Sequence, residues 1–491
     1  MQPTFSKNIR SNMAFLEEAL HLKDNSDLVK REFSSMGLDC VLYFVDGLTG
    51  STGAADYLLR PLMSCREPYR GMDALQTAMR SLIVSPEVKA EPHPSTAIDD
   101  LMHGQCLILM DGVNQAIIVD ARQYVKRSVS TPQTETVVIG PHEAFTEPLR
   151  DNLTLLHRVL PTEQLICKIL SVGRQVHTQL SLCYLHGVCP QETVDEILSR
   201  LNACAIDDVQ GSGMLAQLLE DDPFAPLPQL VSTERPDRAA SFLLEGQAVL
   251  LMDGSPRALA MPVSLWHLFH APDDSYMRWQ YGTFMRVIRM IGAVVALLLP
   301  AVFVSIVMYH PIALPMSLLT NIIQSRSVIS ISLFTEALLM LTVFDLINEA
   351  GTRIPGLLGS SFGLVSALIL GTAAVDAGMV SPLLLIVVAM SGLGSYALPD
   401  YSLSFAFRMG QMLLLIAGGL MGLPGVCLVS VAIVMRVAGR HSLGRPYLAP
   451  STPNRARNPD LGVRAPVYRQ RLRGYLARPG RMLRARGRMR K

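Results

Sequence analysis

The sequence predicts an α/β soluble region of two related subdomains, followed by an all-α multi-pass membrane domain and a basic C-terminal tail. Three observations carry that expectation. Of the 491 residues, 49% are hydrophobic and only 17% charged, against roughly 25% charged in ordinary soluble domains. The long apolar runs fall almost wholly between residues 287 and 437. A strand-and-hairpin pattern within the first 265 residues occurs twice at one offset. So apolar a chain is not disordered as a whole. Eight cysteines without regular paired spacings do not make a disulfide-stapled secreted domain.

The N-terminal stretch MQPTFSKNIRSNMAFLEEALHL has no apolar core followed by a small-residue cleavage site. It does not read as a signal peptide, so the first domain is expected in the cytosolic compartment. VLYFVDGL (41–48) is a strand followed by a turn, and GQCLILMDGVNQAIIVDAR (104–122) is two apolar runs about an Asp-Gly turn, a hairpin signal. The same order returns in LSLCYLHGV (180–188) and EGQAVLLMDGSPRALAMP (245–262). Gly104 to Gly246 and Asp111 to Asp253 share an offset of 142 residues. The expected subdomains are 1–158 and 159–265. The stretches Ser26–Ser35 and Thr162–Ser171, ahead of the two strands, read as helical.

A membrane domain is expected over 280–440, with spans at 287–309, 357–377, 379–398 and 411–437. Each is long enough for a hydrocarbon core of ~30 Å. The second is rich in Gly, Ser and Ala, which favours packing against protein. Ser332–Ala350 has a helical pattern but carries Glu336, Asp345 and Glu349. A charge at the bilayer centre costs at least ~2.5 kcal/mol, so this helix is expected to be amphipathic, at the interface or beside a pore. Arg286 and Arg289 precede the first span, and Arg436 and Arg440 close the last. The positive-inside rule then puts both ends in the cytoplasm. The tail, 441–491, is dense in Arg and expected to be cytoplasmic, either solvated or bound to anionic lipid head groups. No nucleic-acid-binding fold accompanies its charge.

No phosphate loop, HExxH, GxSxG or kinase signature is present, so no catalytic residue and no cofactor are expected. Cys183, His186 and Cys189 lie close in sequence. Residues three apart on a strand face opposite ways and a fourth ligand is missing, so no metal is expected there. His142, Glu143 and Glu147 read as a helix-start cap and salt-bridge group. The Asp-Gly pairs read as turns. The ionisable and small polar residues of the membrane zone are the functional candidates. Ser366, Thr372 and Asp376 are expected to line a pore at the axis of an oligomer, with Glu336 or Asp345 near one mouth.

The segments DLVKREF (27–33), VVIGPHEAFTEPLRDN (137–152), TERPDRAASFLLEGQ (233–247), GTFMRVIRMIG (282–292), NEAGTRIPGLLG (348–359), GTAAVDAGMVSP (371–382) and GRPYLAP (444–450), in this order, resemble the A-subunit (GerA) family of bacterial spore germination receptors. The resemblance runs over nearly the full length. It marks Gly140, Pro141, Glu143, Phe145, Thr146, Glu147, Glu234, Arg235, Pro236 and Asp237 as family-motif residues of structural or interface character. It implies a non-enzymatic subunit of the endospore inner membrane. Such a subunit assembles with a transporter-like B subunit and a lipoprotein C subunit, and oligomerises into a nutrient-gated ion channel. A SpoVAF-like channel subunit that amplifies ion release is the nearest alternative. A secondary transporter is disfavoured, because the membrane zone lacks paired inverted repeats.

Overall fold

The computed structural model describes residues 4–122, 132, 134–352, 366, 369–452, 463–474, 476, 479–481 and 483–484. The soluble region holds two five-stranded antiparallel sheets. The first comprises β1 (Leu28–Ser35), β2 (Leu38–Val45), β3 (Val88–Glu91), β4 (Cys106–Met110) and β5 (Ala116–Val119), in the spatial order β1-β2-β4-β5-β3. The second comprises β6 (Leu165–Val172), β7 (Thr178–Leu185), β8 (Val231–Thr233), β9 (Ala248–Met252) and β10 (Ala258–Met261), in the order β6-β7-β9-β10-β8. The strand order is the same, element for element, and each Asp-Gly hairpin supplies the central pair of its sheet.

Period-two alternation builds each core. In β2, Val41 and Tyr43 face a cluster with α1 (Ile9–Ala19) and α2 (Pro94–Met102). Cys40 and Leu42 face the helical stretches 51–64 and 71–82 on the other side. The second sheet is covered on one face by α3 (Leu149–Val159) and α6 (Pro236–Glu245). Its other face is covered by α4 (Gln191–Ala203) and α5 (Ser212–Leu219). Both sheets are therefore buried on two sides.

The stretches expected to be helical at 26–35 and 162–171 are instead the edge strands β1 and β6. Each is paired over eight residues with its neighbour, Leu28 opposite Val45 and Leu165 opposite Leu185. Tertiary pairing overrides the local preference here.

Asn12 and Asn152 bind their own chains alike. The Asn12 side chain accepts from Ser6 N at 2.9 Å and donates to Ser6 O at 2.7 Å. Asn152 does the same with Thr146, at 2.7 and 2.6 Å. Asp111 accepts from Ile9 N at 3.2 Å and Asp253 from Leu149 N at 2.9 Å. The Asp-Gly carboxylate thus caps the first helix packed on its own sheet, using an otherwise unsatisfied N-terminal amide, so Leu149–Val159, expected in the first subdomain, goes with the second sheet.

The helical region contains α7 (Trp279–Tyr309), α8 (Met316–Arg326), α9 (Leu333–Thr352), a helical turn at 369–376, α10 (Pro382–Tyr396), α11 (Tyr401–Met421) and α12 (Leu423–Ala438). Of these, α7 and α11 are long and apolar enough to cross a membrane, while α10 and α12 are shorter apolar helices. The α7 helix runs away from the soluble region. Gly292 lies against Gly394, while at its far end Tyr309 donates to Gly419 O at 2.6 Å.

The run 411–437, expected as one span, is two helices. Gly422 adopts φ +68°, and Pro424 begins the next helix. The Gly422 position abuts Tyr309, and Gly425 approaches Ala417 O, so α12 folds back along α11.

The stretch 332–350, expected as an amphipathic helix at the interface or beside a pore, is α9, packed among the bundle helices. Its Phe334 meets Gly419 at the far end, and its Phe344 meets Gly392 and Tyr396 toward the soluble end. It can lie there because Glu336 and Asp345 both have cationic partners. Of the span expected at 357–377, residues 357–365 and 367–368 lie outside the described residues.

The Arg-rich tail docks at several points instead of standing free. Tyr447 is fully buried and donates to Pro228 O at 2.7 Å, and Ser442 donates to Gln229 O at 2.7 Å. Arg440 pairs with Asp222 and Arg445 with Glu192. The acids of subdomain 2 pair with guanidinium groups that the sequence reading left to solvent or lipid, and its carbonyls take the Ser442 and Tyr447 hydroxyls. The bundle therefore both leaves from and returns to the soluble region.

Candidate functional site at the junction and in the bundle

Arg235 lies directly before α6, and its side chain is fully buried. Its Nε and Nη2 grip the Asp237 carboxylate at 3.0 and 2.8 Å, a two-point pairing that suits guanidinium. Nη2 also donates to Pro141 O at 2.8 Å and Nη1 to Glu135 O at 3.3 Å. Tyr276 O–H donates to Asp237, which together with burial pushes its phenol up to about 12. The Tyr276 ring lies on Gly140, where an added Cβ would come within 2.9 Å of it at φ +139°.

Glu234 accepts from Thr134 Oγ1 at 2.8 Å and from Arg257 at 2.8 Å, while its carbonyl takes Phe145 N at 2.7 Å. Glu143 pairs with Arg158, the salt-bridge role read for it. Thr146 belongs to the Asn152 clasp, and Glu147 O accepts from Gly254 N at 2.9 Å. Two sequence segments about a hundred residues apart thus form one layer around Arg235.

That layer abuts the root of α7. Asp274, 2% exposed, accepts from Arg286 at 3.1 Å and Arg289 at 2.7 Å. These arginines, read from sequence as topology signals, are neutralised inside the protein. Arg238 pairs with Glu135 and donates to His270 O at 3.2 Å. His267 accepts from Ser264 N, and burial with His270 and Arg238 nearby lowers it to about 3. From the tail, Arg464 donates to Met277 O at 2.6 Å and Ser275 O at 2.8 Å. A cavity of about 470 Å³ opens there among Arg238, His270, Arg286, Arg464 and Glu245. Below it, Ala293, Leu398, Leu403 and Tyr447 belong to the same apolar cluster as Val249 and Leu251 of the second sheet. Such close packing transmits displacement from sheet to helix.

The bundle carries a second polar set. Fully buried Glu336 accepts from Ser381 N at 2.5 Å and Oγ at 2.7 Å, with Arg326 at 3.2 Å. Asp345 lies 3.8 Å from Arg408, which donates to Ser395 Oγ at 3.2 Å. Ser395 bonds Ser404 at 2.8 Å, and Gln411 donates to Ser391 at 2.7 Å, which donates to Ala296 O at 3.1 Å. Thr372 donates to Ile369 O and is exposed, as is Asp376, while Ser366 is half-buried. The five expected pore residues are therefore not one cluster: Glu336 is enclosed, and Thr372 and Asp376 face outward. Sequence reading missed Arg326, Arg408 and Gln411. The signal for Arg408 was its charge inside an apolar run.

The chain matches the family model described as Bacillus/Clostridium GerA spore germination protein over residues 15–475. It belongs to the GerA family. GerA relatives align along most of its length. Spore germination protein GerLA of Bacillus cereus is 33% identical over 430 residues, 87% of each chain. The uncharacterized membrane protein YfkQ of Bacillus subtilis (strain 168) is 32% identical over 466 residues, 94% of this chain and 90% of the relative. The crystal structure of the N-terminal domain of the A subunit of the Bacillus megaterium spore germinant receptor GerK3 covers 53% of this chain and 97% of its own. It aligns at 27% identity with a TM-score of 0.42.

Proposed function

We propose that this GerA protein is the A subunit of a spore germinant receptor, an oligomeric, nutrient-gated ion channel that starts ion release during germination. The observation that carries the reading is a pair of polar sets among the apolar helices, Arg326–Glu336–Ser381 around the fully buried Glu336 and Asp345–Arg408–Ser395–Ser404 with the buried Ser395 and Ser404. Ionisable groups enclosed among apolar helices are costly and are kept where charge must be handled. The apolar cluster shared by the second sheet and the helix ends gives gating a mechanical route. In this reading the bundle spans the inner membrane of the endospore, with the soluble region and the tail in the cytoplasm. A transporter-like B subunit and a lipoprotein C subunit are its partners. The exposed face bearing Thr372 and Asp376 meets its copies around the axis, where rings of small polar and carboxylate groups line a cation path.

The test is ion release from spores and flux in reconstituted vesicles carrying Asp376→Asn or Ser366→Leu. Weakened cation preference in the first and blocked flux in the second are expected. Unchanged flux in both, at normal protein levels, returns this helix to packing alone.

A further inference from the structure

Three chemistry-bearing side chains that lie far apart in sequence meet where the two subdomains join. Asp27 precedes β1, His157 lies on α3 and Cys167 on β6. All three are buried, at 4%, 2% and 0% exposure. His157 Nε2 is 3.2 Å from Asp27 Oδ2 and 3.8 Å from Cys167 Sγ, and the three donor atoms lie within 4.8 Å of one another. Cys183, also fully buried, sits directly opposite Cys167 across the β6–β7 pair. We propose that Asp27, His157 and Cys167 form a site for a zinc-class dication that locks subdomain 1 to subdomain 2.

The distances suit it. Zinc–donor bonds of about 2.0–2.3 Å in a tetrahedron put donor atoms ~3.3–3.8 Å apart. The charges suit it as well. A carboxylate this deeply buried needs a compensating cation, and a dication balances Asp27 and one thiolate while leaving His157 neutral. Without a metal, the buried Asp27 carboxylate and Cys167 thiol both lie against His157 Nε2. One imidazole nitrogen must then serve both Asp27 and Cys167, while His157 Nδ1 is buried with no hydrogen-bond partner among the described residues.

The surroundings are already fixed. Ser26 N donates to Cys167 O at 3.0 Å, Asn25 Oδ1 accepts from Cys167 N at 3.4 Å, and Ile169 N donates to Ser26 Oγ at 3.2 Å. Residues 25–27 thus extend the open edge of β6, and the metal closes the joint beside that edge. The sequence cluster Cys183, His186 and Cys189, where no metal was expected, is a different group. His186 stacks on His21, with ring centres 4.0 Å apart, and takes no part in the set.

The experiment uses the full chain, purified in detergent without chelator. Elemental analysis is expected to give about one zinc per chain. Cobalt exchange should give a thiolate-to-cobalt charge-transfer band in the wild-type protein, a readout that does not depend on any variant folding. Cys167→Ser and His157→Gln should each lose at least ten-fold in bound metal, and Cys65→Ser should keep it. A chelator should lower the unfolding temperature of the wild type and leave that of Cys167→Ser unchanged. Metal-free protein that takes up no added zinc would overturn the site. So would full metal retention in Cys167→Ser, or a Cys167–Cys183 disulfide in the purified chain.

Discussion

The two subdomains share one frame and differ in what is attached to it. Asn12 and Asn152, Asp111 and Asp253, and the paired sheets match contact for contact. The residue ahead of the crossing helix differs. In subdomain 1 it is His93, half-buried, with its Nδ1 unbonded. In subdomain 2 it is Arg235, enclosed and bonded to Asp237, Glu135 and Pro141. The first sheet packs only within the soluble region, whereas the second shares its apolar cluster with Ala293, Leu398 and Leu403 of the helices. One frame thus serves two settings, and the second is packed against the helices.

The largest expected effect tests that asymmetry. Arg235→Ala strips Asp237 of its partner and orphans two carbonyls. Breaking a buried pair costs about 3–5 kcal/mol, so detergent-solubilised protein should unfold at markedly lower denaturant. His93→Ala at the matching place should cost under ~1 kcal/mol. Equal losses would end the claim that the two positions differ in role.

The shared frame is tested next. Asn152→Ala and Asn12→Ala each remove two hydrogen bonds to backbone groups, at about 1–3 kcal/mol for buried groups left unpaired. The two losses should agree in hydrogen-exchange protection of their own subdomains. A loss at one site only would show that the clasp is not equivalent.

Acid separates the subdomains again. His267 is held near 3 in the folded protein and returns to about 6.5 on unfolding. Its contribution is complete above pH 6.5 and falls as pH drops from there toward 3, by up to about 1.4 kcal/mol per unit. Hydrogen exchange should show subdomain 2 loosening first on acidification, and His267→Phe should flatten that dependence.

The smallest effect is at the caps. Asp253→Ala and Asp111→Ala should each cost about 1 kcal/mol, read as equal downward shifts in thermal midpoint.

The sequence by itself determined the family and a two-part α/β region followed by helices. Alternation of apolar residues, the Asp-Gly turns and their constant offset are local, periodic signals, so the inner strands of both sheets were legible. The apolar runs around Val287–Tyr309 and Pro382–Tyr396 were legible for the same reason. Glu234, Arg235 and Asp237 could be singled out by motif, though not their common purpose. Tertiary structure alone decided the rest. The edge strands β1 and β6 carry little pattern of their own and are fixed by cross-strand pairing. Glu336 and Asp345 looked too costly for a bundle interior because nothing local in the sequence shows that Arg326, on the preceding helix, and Arg408, on α11, turn toward them. The break at Gly422 depends on a positive φ that composition does not reveal. The meeting of Asp27, His157 and Cys167 spans 140 residues of chain. Contacts of that kind arise when separately coded units dock, and no period in the sequence records where two surfaces will meet.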